Sequence, residues 1–136
     1  DYEGVGLYFS SSSCLDASGY TGFKCDFAGS LGGCHLQAAI NFSGDVQTVN
    51  DPGRGACAGS GSQCYPPEAD VTTAALAATA DAPTVKVPFS ALAGGMPQST
   101  ADARHLLDVQ WQLTAPVGGD AGGCMADFTV ENVSFY

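Results

Sequence analysis

The sequence predicts an all-β domain, an antiparallel sandwich, and three observations carry that prediction. Apolar and polar residues alternate at period two in stretch after stretch, as half-buried strands require. The chain holds 18 glycines but only 13% charged residues, a composition of turns and small side chains rather than of helices laced with ion pairs. Turn signals separate about six to eight candidate strands with no βαβ rhythm and no internal repeat, which is the spacing of a sandwich.

The first candidate strand is VGLYF, where Val5, Leu7 and Phe9 alternate against Gly6 and an outward Tyr8 before a loop over Ser10–Ser13. GFKCDFAG follows, with Phe23, Cys25 and Phe27 on one face and Lys24 and Asp26 on the other; Gly29, Gly32 and Gly33 supply the turn. CHLQAAINF has the clearest alternation, Leu36, Ala38, Ile40 and Phe42 inward and His35, Gln37, Ala39 and Asn41 outward. From Ser43 to Asp70 periodicity disappears among Gly, Pro, Asp and Ser, so this reads as a long surface excursion pinned by Cys57 and Cys64.

Val71–Ala80 stays open between a short helix, favoured by its alanines, and a strand, favoured by Thr72, Thr73 and Thr79. TVKVPFSAL reads as a strand with Val85, Val87 and Phe89 on one face, at an edge or strand end because of Pro88. Gly94–Arg104 reads as loop. In LLDVQWQLT, Leu107, Val109, Trp111 and Leu113 share one face and Asp108, Gln110, Gln112 and Thr114 the other. A glycine-rich turn, VGGDAGG, then leads to CMADFTVENVSFY, which buries Phe128, Val130, Val133 and Phe135. The phase slips near Glu131 and Asn132, which predicts a bulge.

At 136 residues the chain is read as one domain spanning 1–136. Four Lys+Arg against 14 Asp+Glu, a net charge of −10, argue against nucleic acid and anionic membranes. Six cysteines without a paired CxxC arrangement suit disulfides and a secreted, extracellular home. Beyond Cys57 and Cys64, the cysteines at 14, 25, 34 and 124 allow three pairings. Cys34 and Cys124 each follow Gly-Gly and start a strand, which favours that bridge; Cys25 lies on an apolar phase and would then be a buried thiol, with Cys14 unpaired.

Four segments together, YTGFKCDF, VPFSAL, VQWQL and FTVENVSF, resemble the jelly-roll carbohydrate-binding modules of bacterial glycoside hydrolases, particularly modules for β-glucans. The likeness spans most of the chain and lies in the order and spacing of the segments. It implies a non-catalytic module, excised from a larger secreted enzyme, that recognises cellulose-type or mixed-linkage glucans or xyloglucan and targets an attached glycoside hydrolase to plant polysaccharide. It also implies a structural calcium near the termini. Glu131 matches the carboxylate of the last strand and Glu3 is the N-terminal candidate, with Asp1, Asp26 or Asp127 as further ligands, since calcium takes six to eight oxygens. A chelator should then lower the melting temperature.

The resemblance places the glycan across one sheet face. Sugars present apolar C–H faces and a polar rim, so flat aromatics and forked hydrogen-bonding groups are the chemistry needed. The outward residues on offer are Tyr8, Asp26, His35, Gln37, Asn41, Gln110 and Gln112, with Lys24 beside them. Solvated strands usually recruit charged residues or threonine, so four amides on outward positions are less ordinary than polarity alone. Trp111 is either core, by alternation, or a stacking platform if a bulge turns it outward. Tyr20 and Tyr65 fall in loops, as rim residues or ordinary surface tyrosines.

Enzymatic motifs are missing. Asp26, Asp108, Asp120 and Asp127 form no recognisable carboxylate pair, and the sequence has no GxSxG elbow and no HExxH. The alternative is a secreted adhesive or structural sandwich that contacts protein, for which an exposed apolar patch would be the sign.

Overall fold

The computed structural model describes residues 3–9, 12–78, 84–116 and 123–136. The order is β1 (Glu3–Tyr8), β2 (Gly22–Ser30), β3 (His35–Phe42), β4 (Glu68–Asp70), α1 (Thr72–Ala78), β5 (Thr84–Pro88), β6 (Leu106–Thr114) and β7 (Asp127–Phe135). A four-stranded sheet runs β1-β6-β3-β4 and a three-stranded sheet runs β5-β2-β7, with every pairing antiparallel. The two-sheet antiparallel architecture expected from the alternation is therefore the one the chain adopts. Residues 1 and 2, 10 and 11, 79–83 and 117–122, Asp1 and Asp120 among them, lie outside the described residues.

Between the sheets Phe23, Phe27, Leu36, Ile40, Phe42, Val85, Val87, Val109 and Trp111 are buried. The Trp111 ring meets Phe23 edge to face, with centroids 6.1 Å apart. The predicted inward phase of β2, β3, β5 and β7 holds. In β7 it survives the expected bulge: between the pairs Lys24–Ser134 and Asp26–Glu131, one residue of β2, Cys25, lies opposite two of β7, Asn132 and Val133. Asn132 takes the left-handed conformation there, φ 52°. That extra residue puts Val133 and Phe135 back on the side of Phe128 and Val130.

Three elements differ from expectation. β1 is an edge strand exposed along its whole length. Val5 and Leu7 lie opposite Trp111 and Val109 and so point to the inner side, but they overhang the narrower sheet and remain 51% and 44% exposed. The start of β6 carries a register shift opposite Asn41 and Phe42, so Leu106 rather than Leu107 joins the main core. The excursion from Ser43 ends in a strand, because β4 pairs with β3 through Gln37, Ala38 and Ala39.

The open segment after Val71 forms the helix α1. The Asp70 carboxylate accepts the Thr72 amide proton at 2.9 Å, and the Thr72 hydroxyl accepts that of Leu36 at 2.8 Å, tying the helix start to β3. Small side chains then let Ala75 and Ala78 bury themselves against β2, β3 and β5.

Both predicted disulfides are present, Cys34–Cys124 and Cys57–Cys64. The first closes a sequence separation of 90 residues and the second one of 7, worth about 4–5 and about 2–3 kcal/mol in the chain-entropy account. At the Cys34 turn Gly32 has φ 55°, and a side chain there would collide with the Met125 carbonyl. Cys14 and Cys25 carry free thiols. Burial pushes the Cys25 thiol up to about 11, although the Trp111 side chain hydrogen-bonds to it.

Candidate functional site

The outer face of the four-stranded sheet is assembled in cross-strand rows. Gly4, Gln112, Gln37 and Asp70 form one row; Gly6, Gln110, Ala39 and Glu68 form the next; Tyr8, Asp108 and Asn41 form a third; Thr114 and His35 pair at the opposite end. Residues directly opposite in antiparallel strands point the same way, so each row presents its side chains to one face. Over this face runs an open groove of about 980 Å³, bordered by Tyr8 on β1 and by Tyr65 and Pro66 just before β4.

Two glycines make room for it. A Cβ on Gly6 would lie 3.4 Å from Gln110 Cγ and 3.7 Å from Tyr8 Cε2, so the missing side chain leaves a hollow beside the Tyr8 ring. At Gly4 the strands approach so closely that a Cβ would sit 2.6 Å from the Trp111 carbonyl oxygen. The edge strand therefore lowers the floor beside the glutamines.

The amides are held in order. Gln112 Nε2 donates to Gln110 Oε1 at 3.2 Å, Gln110 in turn hydrogen-bonds to the Asp108 carboxylate, and Asn41 Nδ2 donates to Asp108 Oδ1 at 2.9 Å. Gln37 Nε2 donates to Glu68 Oε1 at 3.1 Å. A carboxamide has about four hydrogen-bonding positions, so Gln37 and Gln112 keep capacity for hydroxyl groups while their orientation is set from below. Asp108 is 2% exposed, and burial raises its pKa against the lowering effect of Asn41 and Gln110.

Beside Asp108, under the excursion, sits Asp45. Its Oδ1 accepts the Phe42 amide proton at 3.1 Å, while its buried Oδ2 has no hydrogen-bond partner among the described residues. Desolvation, with the Asp108 charge adding to it, pushes this carboxyl up to about 7.

The structure brings Tyr8, Gln37, Gln110 and Gln112 together along one groove. Trp111 is settled as core: its side chain is 2% exposed. Asn41 is outward but sealed, 8% exposed and bonded to Asp108. His35 stands at the far end of the face, 3.7 Å from Asp70, outside the groove. Asp26 belongs to the other sheet. It accepts from Asn132 at 2.7 Å and Thr84 at 2.7 Å across the opposite outer face, and these bonds lower its pKa. Tyr65 takes the rim position, whereas Tyr20 packs on Phe135. Sequence reasoning missed Glu68, hidden in a stretch without periodicity, and the role of Gly4 and Gly6, whose alternation opposite two glutamines was the available signal.

No known family, curated protein or solved structure matches the chain.

Glu3 and Glu131 both border the open mouth between β1 and β7. Among the described residues no group of three or more acidic, histidine or cysteine side chains is placed to hold a metal ion. Both oxygens of Asp26 are engaged with Asn132 and Thr84, so two exposed carboxylates face a cation that needs six to eight oxygens. The described residues do not by themselves fit a calcium ion.

Proposed function

We propose that this chain is a non-catalytic carbohydrate-binding module that lays a β-glucan chain in the groove on its four-stranded sheet. The convergence of Tyr8, Tyr65 and the three glutamines on one open face carries the reading. Tyr8 and Tyr65, 65% and 40% exposed, offer aromatic surface for the C–H faces of sugar rings. Gln37, Gln110 and Gln112 lie between them as amides aimed at hydroxyls. A groove open to solvent suits a polymer chain that enters from one side and leaves by the other.

The reading involves no bond chemistry in this domain. Among the described residues the two carboxylates with raised pKa values, Asp45 and Asp108, are each 2% exposed and out of reach of a glycosidic bond. The gain is proximity: a module bound to polysaccharide holds an attached glycoside hydrolase at high effective concentration over its substrate. The two disulfides suit the extracellular setting that such a role requires.

Electrophoresis in native gels containing barley β-glucan or xyloglucan tests this. The protein is expected to be retarded by these polymers and not by unrelated ones, and migration unaffected by every glycan would overturn the reading. That outcome would favour the adhesive sandwich, for which exposed Val5 and Leu7 on the edge strand are the supporting observation.

A further inference from the structure

We infer that Glu68 turns the groove into a charge filter, which binds a chain bearing protonated amino groups, such as a β-1,4-glucosamine oligomer, more tightly than its neutral counterpart and refuses polyuronates. The inference rests on the groove being a glycan site and adds the ligand class to it.

The charges that border the groove are all of one sign. Glu3 and Glu68 line it, and none of the four Lys and Arg residues does. Lys24 and Lys86 pair with each other in register on the opposite sheet, Arg54 is bound to Asp51 at 2.7 Å within the excursion, and Arg104 lies in the loop before β6. A polyanion entering the groove meets carboxylates without a compensating cation, whereas an ammonium group meets the partner it needs.

Of the two carboxylates, Glu68 is the fixed one. Its backbone is held on both sides, by pairing with Ala39 in β3 and by reciprocal hydrogen bonds with Ala93 at 3.0 and 3.1 Å. Its side chain is half-buried and oriented by Gln37 at 3.1 Å. Glu3 is exposed on an edge strand. A carboxylate held partly out of water interacts with a cation more strongly than a mobile, solvated one. Tyr65, three residues earlier on the same rim, presents a ring whose negative face also attracts an ammonium group.

Calorimetry with cellohexaose and with fully deacetylated glucosamine hexamer, in buffer acidic enough to protonate the sugar amines, tests the filter on the wild type, Glu68→Gln and Asp16→Asn. Asp16 lies in a remote loop and controls for overall charge. The wild type is expected to prefer the glucosamine hexamer. Glu68→Gln should lose about tenfold more for that ligand than for cellohexaose, the size of one charge-assisted hydrogen bond. Asp16→Asn should change neither.

Equal wild-type affinities for the two hexamers would overturn the filter, as would equal losses in Glu68→Gln and Asp16→Asn. A Glu68→Gln variant that loses both ligands alike would make Glu68 a mere support for Gln37, and retardation of the wild type by polygalacturonate would also overturn the proposal. Wild-type binding to neither hexamer would overturn the groove reading itself, a result distinct from all of these.

Discussion

The sandwich has two outer faces built from strands of similar alternation, and they have different chemistry. On the three-stranded sheet the outward positions carry Lys24, Lys86, Asp26, Thr84, Glu131, Asn132 and Ser134. Charges of both signs are mixed, Asp26 takes its two hydrogen bonds from neighbours on the same face, and Lys86 sits 5.2 Å from the Tyr136 ring centroid. This is a solvated sheet whose polar groups satisfy one another. The four-stranded sheet has glycines, glutamines and Tyr8 in the corresponding rows, with Tyr65 at the rim and carboxylates as the only charges that line its groove among the described residues. Water contact alone explains the first face and does not explain the second, so one molecule supplies both the candidate site and its internal control.

The largest expected effect separates the carboxylates of the two faces by pH. Asp26 is held below the ordinary carboxylate range by Asn132 and Thr84, whereas Asp45 is held up at about 7 and Asp108 is raised. In the unfolded chain Asp45 loses its proton near 3.8. The stability that its protonated form confers is therefore complete below that value and is lost as pH rises through about 7. Melting temperature should fall across that interval, by an equivalent of a few kcal/mol. In Asp45→Asn the fall should largely disappear, and an unchanged slope in the variant would dissociate the descent from Asp45.

Next in size is the loss of the aromatic rim. Tyr8→Ala with Tyr65→Ala should weaken β-glucan binding by about 2 kcal/mol or more, the range of an aromatic anchor at a binding hot spot, with the melting curve nearly unmoved. Gly6→Val should act in the same direction by filling the hollow beside Tyr8. Gln112→Ala should cost about 1 kcal/mol of binding, one hydrogen bond's net worth, and little stability. Equal losses of stability and binding would make the glutamine structural.

The smallest effects belong to the control face. Asp26→Ala should lower the melting temperature slightly and leave glycan affinity where it was; a clear loss of affinity would erase the contrast between the faces. Chelation tests the calcium expected near the termini, where Glu3 and Glu131 are the carboxylates that the described residues bring to the sandwich mouth, and an unchanged melting temperature would remove that cation. A fall on adding chelator would point to cation ligands beyond these two.

How much of this was legible in the sequence depends on what alternation encodes. It separates inward from outward, and for Phe23, Ile40, Val87, Val109 and Phe128 it did so correctly, even across the bulge at Asn132. It does not name the sheet: Asp26 and Gln110 are both outward, on opposite sides of the molecule. Nor does it show what covers a residue. Asn41 and Asp108 face outward yet are buried, because the excursion that begins at Ser43 folds over that end of the face, and Val5 and Leu7 face inward yet are exposed, because the partner sheet is one strand narrower. Glu68 was out of reach for a further reason. Its strand is three residues long and takes its register from β3, and so short a segment shows no period of its own.

Cys25 gives the protein a chronometer. The residue is 1% exposed, packed beside Trp111 at the centre of the sandwich, and burial pushes its thiol up to about 11. An alkylating reagent needs both contact and a thiolate, so in the native state neither condition is met. The slow component of alkylation, after partly exposed Cys14 has reacted, then counts openings of the whole core, and a ligand that closes the fold should slow it.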